Sequence, residues 1–285
     1  MSLVIDNGRV MVESPNVSVG LPNRPENVVL AREIVTGLCE QIGLGPVEVN
    51  DLQTALTEAC NNVVLHAYEG DEGPLQIELY VLEDAIEILV SDVGVGIAPR
   101  IREVQSPGLG IGLQVIHALA QHVEFNEANG AGTEIRMRFE MRPAHPPQPP
   151  APSEHAFSEE TSGAMTITLA PAALARTVLP RILCTLTANG DFSTARINDA
   201  QMLADALAAH LPPALSADHM SIRAKLAPRD LRIRVGPLRA GGPELAARGS
   251  QIDGLGAILD SLVDERDEEP EGSCWALLLR ISERR

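Results

Sequence analysis

A proline-dense run, Pro143-Ala144-His145-Pro146-Pro147-Gln148-Pro149-Pro150-Ala151-Pro152, cuts this chain in two. Proline fixes φ and has no amide hydrogen to donate, so such a run stays extended and cannot enter a helix or the interior of a sheet. The polar stretch from Ser153 to Gly163 continues the spacer. At 285 residues the chain then supplies two segments of ordinary domain size, each long enough to bury a core. The boundaries read as residues 1–142, a linker at 143–164, and residues 165–285.

The first segment holds the chemistry. Leu52, Ala55, Leu56, Ala59 and Val63 recur at the spacing of one apolar helix face, with Asp51 expected as its cap. Glu58, Asn62 and His66 then fall on one polar stripe at the edge of that face. Polar groups at the rim of a buried face need partners, which a bound metal or phosphate can provide, and so can water on a solvated face. Two alternating strands follow, Leu75 to Val81 and Ile86 to Val90, with the turn at Glu83-Asp84. Asp92 ends the second strand, where its carboxylate can accept a hydrogen bond from an exocyclic amine such as that of adenine. Gly94 and Gly96 leave room for close backbone approach, although turns after strands are often built from the same residues.

Gly108, Gly110 and Gly112 lead into a helical pattern at Leu113, Val115, Ile116 and Leu119. Backbone N–H groups at a glycine-rich helix start form an anion site. The run lacks the Lys-Ser/Thr of a P-loop, and no strand immediately precedes it as a dinucleotide fingerprint requires. Gly130-Ala131-Gly132-Thr133 turns into a strand at Ile135, Met137 and Phe139, and the Thr133 hydroxyl can face a phosphate or start the strand.

In this order, Glu-x-x-x-Asn with its His66-Ala67-Tyr68 tail, Asp-x-Gly-x-Gly, the glycine-rich lid end and Gly-Thr resemble the GHKL (Bergerat-type) ATPases. Within them the likeness is to the small anti-sigma factor/serine-protein kinases, over residues 16 to 140. The resemblance implies an α/β fold, an α+β two-layer sandwich with a mixed sheet against helices, that binds ATP with Mg²⁺. It implies that Asn62 is the metal ligand, that Asp92 takes the adenine amine, and that Gly94, Gly96, Gly108, Gly110, Gly112 and Thr133 surround the nucleotide. Glu58 becomes the general base, accepting the proton of a serine or threonine hydroxyl, or of water, as the phosphoryl group transfers. The implied activity is that of an anti-sigma regulatory protein kinase, holding a sigma factor and phosphorylating an anti-sigma antagonist. The alternative is a nucleotide-gated interaction module without phosphotransfer. The lid, Ile97 to Pro107, is compact and carries Arg100 and Arg102, which can meet a γ-phosphate, a partner or solvent.

Beyond the linker the order of elements starts again. Thr166 to Leu169 reads as a strand, Pro171 to Leu186 as a helix, and Ile197-Asn198-Asp199 mirrors Val49-Asn50-Asp51 before a helix to Leu211. Strands at Met220 to Leu226 and Leu231 to Val235, a helix at Gly254 to Val263 and a strand at Trp275 to Ile281 complete the plan. Matching Asp51 to Asp199 places Ala206 at Glu58 and His210 at Asn62. Val235-Gly236 has no aspartate before it, while Gly254-Leu255-Gly256 keeps a remnant of the glycine loop. The second segment thus reads as a degenerate tandem copy, giving a pseudo-dimer within one chain or a homodimer.

Twenty-two basic against 39 acidic residues give a net charge of −17, which disfavours nucleic acid and anionic membranes as partners. Cys39, Cys60, Cys184 and Cys274 are far apart and read as reduced thiols. No stretch reaches the roughly 18 apolar residues of a membrane span, and no basic-then-apolar leader opens the chain, so cytoplasmic placement is expected.

Overall fold

The computed structural model describes residues 3–6, 9–12, 14–95, 111–127, 132–150, 163–239 and 255–283. Strand β1 (Leu3–Asp6) pairs antiparallel with β2 (Arg9–Val12) as a separate hairpin. The first half continues with β3 (Val17–Pro22), α1 (Pro25–Ile42), α2 (Pro46–His66), β4 (Pro74–Val81), β5 (Ile86–Asp92), α3 (Ile111–Leu119), β6 (His122–Glu127) and β7 (Thr133–Phe139). The second half repeats that order. It has β8 (Met165–Leu169), α4 (Ala175–Asn189), α5 (Thr194–His210), β9 (Met220–Ala227), β10 (Asp230–Leu238), α6 (Leu255–Leu262), β11 (Glu265–Glu271) and β12 (Cys274–Ser282).

Local chemistry sets the helix ends. Pro25 and Pro46 sit in the first turns of α1 and α2, where a missing N–H costs nothing. Gly43 closes α1 at φ 74°, and its N–H reaches the carbonyls of Cys39 and Glu40. The expected cap, Asp51, instead lies inside α2, which starts a turn earlier. The Gly45 N–H donates to the Glu48 carboxylate at 2.5 Å there.

All ten remaining strands form one sheet, ordered β11-β12-β10-β9-β8-β3-β4-β5-β7-β6. Its pairings are antiparallel throughout rather than mixed, because hairpins join β4 to β5, β6 to β7, β9 to β10 and β11 to β12, and the α1–α2 and α4–α5 excursions return beside β3 and β8 in opposed direction. Strands such as β4 alternate buried and half-buried residues, with Leu75, Ile77, Leu79 and Val81 facing inward. The buried apolar residues of both halves belong to one continuous core.

The order reads alike from either edge inward, and the two halves meet where β3 pairs with β8 and α1 packs on α4. Buried positions coincide as well. Leu52, Ala55, Leu56, Ala59, Cys60 and Val63 of α2 map onto Ala200, Leu203, Ala204, Leu207, Ala208 and Leu211, all buried, at the same 148-residue spacing that separates Glu33 from Arg181. The linker's first part is docked rather than free. The His145 N–H donates to the Ile42 carbonyl at 3.0 Å, and Pro146, Pro147, Pro149 and Pro150 line a groove with Tyr80 and Leu82.

Candidate functional site

The four motifs converge through backbone contacts. Helix α2 carries Glu58, Asn62 and His66 one turn apart, each half-buried along one edge. At its C-terminal end, the Ala67 carbonyl accepts the Val95 N–H at 2.9 Å. Gly94 lies so close to this carbonyl that a Cβ there would come within 2.1 Å of the oxygen, and only glycine fits. The loop after β5 is thereby fixed to the helix that bears the Glu-x-x-x-Asn pair.

Asp92 ends β5 opposite Leu75 and is 3% exposed. Its Oδ1 accepts the Gly94 N–H at 2.8 Å, which turns the chain sharply after the strand. Gly132, at φ 86°, packs against the next side of the same loop, where a Cβ would lie 2.0 Å from the Asp92 carbonyl oxygen. That contact places Thr133, the first residue of β7, beside the aspartate turn. On the other side, a Cβ on Gly112 would sit 2.6 Å from Glu58 Oε2, so the Glu58 carboxylate stands at the N-terminal turn of α3. A carboxylate at that end is held by the helix dipole and by unpaired backbone N–H groups.

Glu58, Asn62, Asp92, Gly94, Gly112 and Thr133 are therefore drawn into one region. Gly96, Gly108, Gly110 and the lid with Arg100 and Arg102 lie outside the described residues.

Tyr68 has a larger part than the sequence indicates. Its hydroxyl donates to the Pro74 carbonyl at 2.5 Å and accepts the Val93 N–H at 3.1 Å, joining the end of α2 to the start of β4 and to the residue after Asp92. Burial pushes the phenol up to about 12; the Val93 bond works against that rise and the nearby Asp92 adds to it. The phenol stays protonated at neutral pH and keeps its donor role. The signal was available in the His-Ala-Tyr tail, but only as a family likeness, since periodicity cannot show that a tyrosine bridges two strands.

The corresponding region of the second half carries different residues. Ala206 and His210 stand on α5 where α2 has Glu58 and Asn62. Matching the buried Ile88 and Val90 to Ile233 and Val235 puts Pro237 at the position of Asp92, which refines the expectation built on Val235-Gly236. Matching Ile116 and Ala120 to Leu259 and Val263 puts fully buried Leu255 where Gly112 stands. The N–H of Ala120 bonds to Ile116, and that of Val263 to Leu259, both at 2.9 Å, which supports the match. The carboxylate is lost from one helix and a leucine is added on the other. In the first turn of α5, away from Ala206 and His210, buried Arg196 bonds to Asp199 on the same helix and ties it to Asp264 and the Ser282 carbonyl.

An antiparallel sheet lies under helices, with the carboxylate–amide helix facing the aspartate turn and a glycine-started helix. Residues 21–139 match the family described as the histidine kinase-like ATPase domain. That part of the chain is similar to the GHKL ATPases and, within them, to the anti-sigma serine-protein kinases. The serine-protein kinase RsbW of Bacillus pumilus is 36% identical over 81 residues, covering 27% of this chain and 50% of the relative. The anti-sigma F factor of Clostridium beijerinckii is 29% identical over 129 residues, 42% of this chain and 90% of the relative. The chain spans about half the length of the RsbW relatives it matches. Among solved structures, the histidine kinase domain from the Erythrobacter litoralis EL346 blue-light activated histidine kinase is 23% identical over 41% of this chain and 61% of its own, at a TM-score of 0.28. Among the described residues no helix is long and apolar enough to cross a membrane.

Proposed function

We propose that the first half is an anti-sigma regulatory protein kinase that binds Mg-ATP, docks a sigma factor and phosphorylates a serine or threonine of an anti-sigma antagonist. The observation that carries this reading is the chain of contacts from Glu58 to Gly112, from Ala67 to Gly94 and from Asp92 to Gly132, which joins all four motifs. The names of the relatives, a serine-protein kinase and an anti-sigma F factor, support the choice of acceptor and partner.

The donor set fits the group. Asn62 offers a hard amide oxygen suited to Mg²⁺, and Gly94, Gly112 and Gly132 let the Ala67 carbonyl, the Glu58 carboxylate and the Asp92 carbonyl approach closely, which draws the motifs together. The metal supplies charge neutralisation for the transferring phosphates when bound. Asp92 accepts from the adenine amine at the end of β5. Glu58, beside the N-terminal turn of α3 where phosphate oxygens would be received, takes the proton of the acceptor hydroxyl as its oxygen attacks. The second half is a degenerate copy that contributes a frame and no second site.

Incubation with γ-labelled ATP and a candidate antagonist tests the reading. Label on an antagonist serine or threonine is expected. Label released only as free phosphate, or tight ATP binding with no transfer, would replace the kinase by an ATPase or by a nucleotide-gated module.

A further inference from the structure

Two residue pairs share one arithmetic property. Val19 of β3 is the register partner of Ile167 of β8, and Arg181 of α4 bonds to Glu33 of α1 across 148 residues. The buried positions of α1 and α2 fall on those of α4 and α5 at this same spacing: Leu30 on Val178, Ile34 on Ile182, and Leu38 on Leu186. Each pair therefore joins one position of the first half to the same position of the second. Such contacts occur only on a two-fold axis, so an axis relating the halves runs through the seam, through the sheet at Val19/Ile167 and through the helix layer at Glu33/Arg181.

In a symmetric assembly of two identical halves, an axial position faces itself. Two first halves would set Glu33 against Glu33, with Glu40 nearby, and two second halves would set Arg181 against Arg181. In this chain the axial position holds opposite charges. Arg181 Nη1 donates to Glu33 at 2.9 Å and Nη2 to Glu40 at 3.1 Å, with the Arg181 and Glu33 side chains 34% and 36% exposed. Backbone fit is one-sided as well. A Cβ on Gly37 would lie 2.8 Å from the Thr177 carbonyl oxygen and 2.9 Å from Val178 Cα, so α1 and α4 touch through a glycine whose counterpart on α4 is Thr185.

We propose that Glu33 and Arg181 form a charge lock on this axis, fitting the β3–α1 seam to the chain's own second half rather than to a second copy of the first. The inference rests on the matched halves and not on nucleotide binding, so it stands or falls independently of the kinase chemistry. Partner choice by opposite charge at a self-facing position combines attraction to the right partner with repulsion of the wrong one.

The test is a charge-exchange cycle in the full-length chain, using Glu33→Arg, Arg181→Glu and the double exchange. It is read by denaturant unfolding and by hydrogen exchange of the Val17 to Gly20 and Thr166 to Leu169 amides. Each single reversal is expected to lower the folding constant roughly threefold to tenfold, the range of partly exposed pairs. Exchange should rise at the seam and stay unchanged in the middle of α2. The double exchange should recover most of both losses, the remainder reflecting Glu40. Single reversals without effect at the seam, or a double exchange as weak as the sum of the singles, would overturn the lock.

Discussion

Helices α2 and α5 present the same buried face at the same spacing and opposite chemistry at its edge. Leu52, Ala55, Leu56 and Ala59 match Ala200, Leu203, Ala204 and Leu207 in burial, while Glu58 and Asn62 are matched by Ala206 and His210. The core positions remain apolar because a shared core and a shared sheet depend on them. The edge positions carry no such packing demand and differ between the two helices. Beside the matching region the second half has buried Leu255 where the first has Gly112. The first half instead packs the Glu58 carboxylate against Gly112 and the Ala67 carbonyl against Gly94, contacts that only glycine permits.

The contrast can be broken most forcefully at Glu58. Glu58→Gln should lower phosphotransfer by roughly 10²–10⁴, the range for losing a general base, while ATP affinity stays close to wild type. Ala206→Ser at the matching position should change neither. Phosphotransfer at the wild-type rate in Glu58→Gln would remove the chemical difference between the halves.

A smaller effect is expected at Tyr68. Tyr68→Phe keeps the ring but loses the bonds to Pro74 and Val93 that hold the aspartate turn. A lost pair of this kind costs about 1–2 kcal/mol, so ATP affinity should fall roughly tenfold with little change in the transfer rate at saturation. Equilibrium binding and single-turnover rates separate the two. An unchanged affinity would mean that Asp92 is positioned without the tyrosine.

The mildest difference is in alkali. Burial pushes the Cys60 thiol from its ordinary 9.0 up to about 12, and burial with the neighbouring Glu48 does the same for Cys39. Their counterparts Ala208 and Thr187 do not titrate in this range, although on α4 burial and the neighbouring Asp205 also raise the Cys184 thiol. A group whose folded pKa lies above its unfolded value stabilises the fold fully below the unfolded value. That stability is lost as pH rises from 9 toward 12. Amides of α2 should therefore lose exchange protection ahead of those of α5, which carries no cysteine, between pH 9 and 11. Equal loss in both helices would contradict the assignment.

Much of this contrast was legible in the residues. Alternation located β4, β5, β9 and β10, and the motif order identified the first half, because both depend on local spacing. The linker was visible in its prolines, but its docking on Tyr80 and Leu82 was not, since extended chain carries no periodic sign of what it rests on. Strand β11, Glu-Arg-Asp-Glu-Glu-Pro-Glu, was missed. All seven residues are exposed at the sheet's edge, so no apolar alternation marks it, and its charges and proline suit an edge that must not pair further. The continuous sheet was equally hidden. Whether β3 meets β8 in the same chain is a tertiary matter, and the pairing of Val19 with Ile167 shows only once strands are placed.

The central claim is one working site in a frame built for two, and the most direct measurement is calorimetric titration of the full-length chain with Mg-ATP. The account predicts one ATP per chain, and none for Asp92→Ala, because Pro237 gives the second half nothing with which to hold the adenine amine. Two equivalent sites, or one site that survives Asp92→Ala unchanged, would contradict it.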